Sequence, residues 1–470
     1  MKFSKLQAIF LAVILSTFLF NGISAQQGLI FEKEEYLARR ERLMEKIPDG
    51  VAIIFSASSP AGYYLYSQSN DFLYFTGVEL PNSILIIDGV NKESTIFFTT
   101  TERAAEGEGI DPALVRDPVG VTGIENYAEY DQFTGTLDRL SNSNMVFYTP
   151  FLPREIGREV ATRKFNVLKS TMVDNEWDGR PTREQQFVNR LNERYPQVEV
   201  RDCSAFIEEL RVIKSAAEID QIRRAGEIGV KAMIETMRST NVGMYEYELA
   251  AIYEYMCRKE GIRDLGYNTI ISSDKNHRYL HYYKHDRLLN DGDFIVMDAG
   301  PDVNYYKMDI SISFPVNGKF TPEQREFYTA CNEIYKACLK FLKAGRTPEQ
   351  VGEMAREYLE KEKGYDLSKK YWDTMSRFLR RGAVSHYVGM AVHDIGGTAR
   401  GELKAGMVLA IDVLGVFADE NMGVRIEDTV VITEDGYENL SAGLPREIDE
   451  IESLMQQKGA VQFLKSNGYY

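Results

Sequence analysis

Through the first two hundred residues, short β-branched and aromatic runs alternate with stretches whose apolar residues recur at helical spacing. Runs at 51–55, 83–87, 95–99 and 145–148 are each bounded by Gly, Pro, Asn or Asp, which predicts strands. Helical patterns surround them at 34–46 and 182–194. The segment from about 29 to 200 therefore predicts an α/β domain. After a boundary near 200–203 the pattern turns helical, through 206–210 and 216–237. Ser215 followed by Glu218 is a capping-box signal. Thr321-Pro322 and Thr347-Pro348 each offer Thr as a cap and Pro at the first helical position. Two strand pairs in this half look alike, 294–298 with 306–314 and 408–413 with 424–432, and each strand delivers one carboxylate. The second half thus predicts an α+β domain with internal pseudo-two-fold symmetry, in which two hairpins aim acids at one central point.

The start of the chain follows neither pattern. Lys2 and Lys5 precede an almost wholly apolar stretch from Leu6 to Phe20, and Ile23-Ser24-Ala25 stands before Gln26. This predicts a secretory signal peptide over 1–25, hence a secreted or periplasmic protein. The apolar run is too short to span a membrane comfortably, and no second one follows, so the mature chain is expected to lack a transmembrane span. The two folded domains are then expected at 28–202 and 203–460.

Formal net charge is −15, and loss of Lys2 and Lys5 takes it to −17. That balance argues against nucleic acid and against an anionic membrane surface as partners. No GxGxxG or GxxxxGK string interrupts the first half, so nothing supports phosphate binding there. Four cysteines in 470 residues do not make a disulfide scaffold, even in an exported chain. Cys331 and Cys338 fall on one predicted helix roughly 10 Å apart, too far to bridge each other. Buried free thiols are expected.

All five histidines lie between His277 and His393, interleaved with acids in a definite order. The order is His281, Asp298 in VMDAG, Asp309 in YYKMDIS, His386 in VSHYVG, His393 in AVHD, Asp412 in LAID and Glu427 in RIED. Many oxygen donors and few imidazoles suit a pair of hard or borderline divalent ions such as manganese. Strand periodicity groups Asp309 with Ser311 and Ser313, and Glu427 with Arg425 and Thr429. Four inward acids would repel one another unless cations sit between them. Two metals supply that charge, and such a pair can activate water and polarise a carbonyl. His277 and His285 flank His281 at four-residue spacing, but in a loop-like, aromatic segment where surface or substrate-proximal positions are expected.

Together these segments resemble the aminopeptidase P and prolidase branch of the pita-bread metallopeptidases. GYNTIISSDKNHRYLHY resembles the family's segment around a catalytic histidine, and DFIVMDAGPDVNYYKMDISISF its first ligand hairpin. SHYVGMAVHD is similar to the aminopeptidase P version of the histidine segment, and GVRIEDTVVIT to the last ligand strand. LRVIKSAAEIDQIRRAGEI resembles the helical entry to the catalytic domain, and NDFLYFTGVELPNSILII the non-catalytic domain of aminopeptidase P.

The resemblance implies a pita-bread catalytic domain and assigns roles by position. Asp298 would bind one metal, Asp309 and Glu427 both, and His386 with Asp412 would complete the second. His281 and His393 would contact substrate, and Arg425 would orient the carboxylates. The sequence departs from the family at Asp412-Val413, where Glu is usual and Pro commonly follows, and at Gly382, where aminopeptidase P members tend to carry His. The shorter Asp412 implies a second metal displaced or loosely held.

The expected activity is removal of the N-terminal residue from peptides with proline second, by a homo-oligomer (a dimer or tetramer) carrying two divalent ions, foremost Mn²⁺. An Xaa-Pro dipeptidase stands beside it, distinguished by a requirement for a free carboxylate near the scissile bond. A peptide-binding protein weakened at Asp412 is the third reading.

Overall fold

The computed structural model describes residues 28–466 except 60–64, 152, 154, 157, 158, 161–166, 396–398 and 400. The expected signal peptide at 1–25 lies outside the described residues. The chain divides into two compact units, one ending at Met145 and the other running from Val146. The boundary expected at 202/203 falls within the second of these.

The first unit is built on β1 (Gly50–Phe55), β2 (Ile84–Asp88), β3 (Glu93–Phe97) and β4 (Asn126–Ala128). β1, β2 and β3 pair antiparallel, while β4 joins β3 in parallel. Helix α1 (Lys33–Lys46) buries Tyr36, Leu43 and Met44, as its spacing predicts, but also Arg39 and Arg40. Arg39 donates to the Tyr74 carbonyl and Arg40 to the Phe75 carbonyl, so two guanidiniums cap the buried last turn of the helix Asn70–Thr76.

In the second unit, β5 (Val146–Thr149) and β6 (Val200–Asp202) pair in parallel. Helices α2 (Arg183–Arg194), α3 (Ser204–Val212), α4 (Ala216–Ser239) and α5 (Glu246–Lys259) precede the main sheet. α6 (Pro322–Phe341) and α7 (Pro348–Glu357) interrupt its strands in sequence. The predicted caps are present. Ser215 and Glu218, Thr321 and Gln324, and Thr347 and Gln350 each close a reciprocal capping box. Cys203, Cys257, Cys331 and Cys338 are free and buried, as expected.

The main sheet contains β7 (Ile270–Ser273), β8 (Phe294–Asp298), β9 (Ser311–Pro315), β10 (Val408–Phe417), β11 (Met422–Ile432) and β12 (Tyr437–Asn439). Its order is β7-β8-β9-β11-β10, with β12 on β11. One line of register crosses it. Asp298 lies opposite Ser311, Ser311 opposite Glu427, and Glu427 opposite Asp412. Residues directly opposite in antiparallel strands share a face, so three acids and a serine stand in a row. The two predicted hairpins meet along β9 and β11.

The strand expected over 306–314 is broken. Tyr306–Lys307 pairs instead with Pro301–Val303, around a tight turn in which Asn304 (φ 51°) and Tyr305 (φ 72°) are both left-handed. β9 begins only at Ser311, so Asp309 lies between two strands. Gly300 shows why. A β-carbon there would come within 1.6 Å of the Met308 carbonyl oxygen. Only glycine lets the chain pass that close and brings Asp309 back beside Asp298.

Candidate metal centre

One oxygen from each of Asp298, Asp309 and Glu427 lies within 4.8 Å of the other two, and all three residues are buried. A second cluster of the same span joins Asp309 to His386 and His393. Asp309 therefore belongs to both clusters. Its backbone is fixed by Thr429, whose hydroxyl receives the Asp309 N–H at 3.2 Å and donates to the Asp309 carbonyl at 2.9 Å.

Burial pushes the carboxyls of Asp309 and Glu427 well above the usual range, and neighbouring acids push the same way. Asp298 acts on Asp309, while Asp309 and Asp412 act on Glu427. Arg425 opposes this. Its Nε and Nη2 grip both oxygens of Asp412 at 2.8 Å each, and Nη1 donates to Asp298. Nη2 also stands 3.4 Å from Glu427. One guanidinium thus faces three acids from two residues before Glu427, on the strand face that periodicity predicts for it.

His386 is oriented by its own backbone neighbour. Its Nδ1 donates to the Tyr387 carbonyl at 3.1 Å, since a carbonyl can only accept. The neutral ring then carries its lone pair on Nε2, and burial lowers its pKa in favour of that neutral form. Nε2 points toward Asp309 at 3.5 Å and Glu427 at 3.7 Å. His386 Nε2 and Glu427 Oε1 are both buried without a hydrogen-bond partner. Two buried acceptors facing each other cost roughly 1–3 kcal/mol each when unpaired. A divalent cation satisfies both, and a set of carboxylates with one imidazole fits such an ion.

Tyr267 was not legible as a site residue. Its hydroxyl is 2.5 Å from one oxygen of Asp298 and 2.5 Å from one of Asp309. A phenol has one proton to give, so it ties the two acids together rather than satisfying both. Ser311 Oγ donates to Glu427 Oε2 at 2.9 Å, which leaves Oε1 as the outward oxygen.

Asp412 stands at the end of the row but outside both clusters, with its oxygens on Arg425. Its side chain is one methylene shorter than Glu. His281 also stands outside the clusters, on an exposed segment, with its ring stacked on Tyr283 at 6.4 Å. His393 packs edge-on to His386, ring centroids 4.4 Å apart.

Both histidines of that pair depend on a buried ion cluster. Arg211 Nη2 meets one oxygen of Asp394 at 2.9 Å and Lys214 meets the other at 3.3 Å. Burial opposes ionisation of Asp394, but Arg211 and Lys214 hold its carboxyl below the usual range. The Asp394 N–H donates to the same Tyr387 carbonyl that orients His386, and Asp394 follows His393 in sequence.

His277 corrects the sequence reading. It is buried rather than at the surface, with its ring nitrogens 3.3 Å from the Asn421 carbonyl and 3.2 Å from that of Ser272. Burial lowers its pKa to about 4. An unfolded histidine titrates near 6.5, so between these values the unfolded chain binds the proton first and stability falls as pH falls. The loss should approach ~1.4 kcal/mol per pH unit inside that window. Urea midpoints of the wild type and His277→Gln between pH 7 and 4 check this. Parallel profiles would remove His277 as the cause.

The sequence profile of metallopeptidase family M24 matches residues 220–434, and that of the aminopeptidase P N-terminal domain matches 36–147. Xaa-Pro aminopeptidase of Escherichia coli is 31% identical over 452 residues, covering 90% of this chain and 98% of its own. Human Xaa-Pro aminopeptidase 3 is 29% identical over 466 residues, covering 90% and 86%. The structure of an Escherichia coli aminopeptidase P variant in complex with substrate superposes with a TM-score of 0.71 at 29% identity, covering 91% of this chain and 98% of that one.

Proposed function

The chain belongs to metallopeptidase family M24, in its aminopeptidase P branch, and from that premise we propose an exported, manganese-dependent, dinuclear enzyme that removes the N-terminal residue from peptides with proline in second position. The observation that supports its metal centre is that Asp298, Asp309 and Glu427 bring oxygens within 4.8 Å of one another, beside two buried acceptors without hydrogen-bond partners, Glu427 Oε1 and His386 Nε2. Asp298, Asp309, Glu427 and His386 would hold the ions. Divalent ions bound there supply the charge that activates water and polarises a peptide carbonyl. Arg425 holds the Asp298 and Asp412 carboxylates in place through its hydrogen bonds to them. Tyr267 spaces Asp298 from Asp309. His393, half-buried beside His386, is placed to donate to the substrate as charge builds on the carbonyl oxygen, and His281 would meet the substrate from its exposed segment.

The protein should lose activity in chelator and recover it best with Mn²⁺ or Co²⁺. It should release the first residue from Xaa-Pro-Yaa peptides and act poorly on Xaa-Pro dipeptides. Preference for the dipeptides would favour the dipeptidase reading. Two bound metals without hydrolysis of either would favour a peptide-binding role. The same proposal includes export after cleavage before Gln26, read by N-terminal mass spectrometry, and assembly as a dimer or tetramer, read by light scattering. No helix among the described residues is long and apolar enough to cross a membrane.

A further inference from the structure

The two ligand hairpins meet at one register pair, Ser311 with Glu427. On either side of that pair the ordinary ladder is replaced by side chains, and the replacement is two-fold symmetric. Two residues beyond Ser311, the Ser313 hydroxyl receives the Arg425 N–H at 2.8 Å and donates to the Arg425 carbonyl at 3.0 Å. Two residues beyond Glu427, the Thr429 hydroxyl bridges the N–H and carbonyl of Asp309 in the same manner. An inserted hydroxyl holds two strands farther apart than a direct amide bond does. The seam through the metal centre is therefore open on both flanks, and something else must hold its middle.

Arg446 does so from the other side of the sheet. Its Nη1 donates to the Ser311 carbonyl at 2.6 Å and its Nη2 to the Glu427 carbonyl at 2.7 Å. One rigid guanidinium thus spans the backbone of both hairpins at their single point of register. Nη2 also binds Asp428 at 2.6 Å. Asp428 follows Glu427 and points to the opposite face, where the Ser441 hydroxyl (2.6 Å) and the Tyr335 hydroxyl of α6 fix its carboxylate. The Arg446 backbone is anchored as well, its carbonyl accepting from Tyr328 and Asn332 at 3.0 Å each.

We propose that Arg446 is a positioning residue that sets the spacing between the two halves of the metal centre by clasping the backbone of Ser311 and Glu427. The inference rests on the metal reading of the site. Arg446 touches no ligand atom. It acts through the chain, fixing where the Glu427 carboxylate stands relative to Asp298 and Asp309. A fork of fixed geometry is needed, because two carbonyls on different strands must be held at one separation. A lysine offers a point charge that satisfies Asp428 without spanning both.

Full-length wild type, Arg446→Lys and Arg446→Met should be stripped with chelator and titrated with Mn²⁺ by calorimetry, with melting curves of each metal-free form. The expected result is a ~10–100-fold loss of Mn²⁺ affinity in Arg446→Lys, the range typical of residues that orient ligands. Arg446→Met should lose at least as much where it folds. Arg446→Lys keeps a charge against Asp428 and is the variant on which the inference stands if Arg446→Met fails to fold. Wild-type Mn²⁺ affinity in Arg446→Lys, with only a lowered melting temperature, would show a purely structural residue and overturn the inference. Wild-type protein that takes up no Mn²⁺ would instead overturn the metal reading beneath it.

Discussion

Glu427→Gln should strip the protein of bound metal and reduce turnover by at least ~10³-fold, beyond the 10–100-fold loss typical of residues that only orient ligands. The substitution changes almost no volume. Ser311 can still donate to the remaining carbonyl oxygen, as it does to Oε2. What changes is the outward atom. Glu427 Oε1 is buried, has no hydrogen-bond partner and lies 3.7 Å from His386 Nε2. An amide nitrogen there would offer its hydrogens to the His386 lone pair and remove one acid from the cluster of three. The protein would be better satisfied without metal and less able to take it up. The melting temperature in chelator should therefore hold or rise. Elemental analysis after Mn²⁺ loading, beside kcat on an Xaa-Pro-Yaa peptide, measures both effects. Two equivalents of metal in the variant would remove Glu427 from the ligand set.

His393→Ala should cut turnover by ~10²–10⁴-fold, the range of a general acid–base or electrostatic contribution, while both metals stay bound. The geometry alone would also admit His393 as a ligand, since it clusters with Asp309 and His386 within 4.8 Å. The distinction lies in support. Both rings are half-buried, but His386 is turned toward Asp309 and Glu427 by the Tyr387 carbonyl and its Nε2 atom is buried without a hydrogen-bond partner. A fall in Mn²⁺ stoichiometry in His393→Ala would transfer it to the ligand set.

Most of the architecture was legible because its signals are local. A cap at Thr321 needs only Pro322 and Gln324, and α6 begins there as expected. The inward acids were legible because each sits in a short strand-like string. Their common row was not, because register between strands more than a hundred residues apart is set by packing that no local string records. Asp309 was placed on a continuous strand because its alternation is regular. The break comes from the close pass at Gly300 and the left-handed turn at Asn304 and Tyr305, which a period-two pattern cannot show. Tyr267 carried no signal at all, since a tyrosine that bridges two acids looks in sequence like one that packs. His277 misled through its loop-like, aromatic surroundings, which pointed to the surface, while its burial depends on Asn421, far along the chain. Arg39 and Arg40 stood in an amphipathic helix, where charged residues are normally assigned to water.

The ion cluster of Arg211, Lys214 and Asp394 has a bearing on how the protein can be divided. All the acids and imidazoles of the site lie after residue 266, so a fragment opening at α4 would seem to contain the whole peptidase. Such a fragment would carry Asp394 into the interior with neither of its cations. Leaving one half of a buried ion pair without the other costs on the order of 3–5 kcal/mol, a large part of what keeps a domain folded. The shortest piece able to stand alone must therefore begin no later than α3. An expression boundary drawn at the first catalytic motif would cut through the anchor of its own histidines.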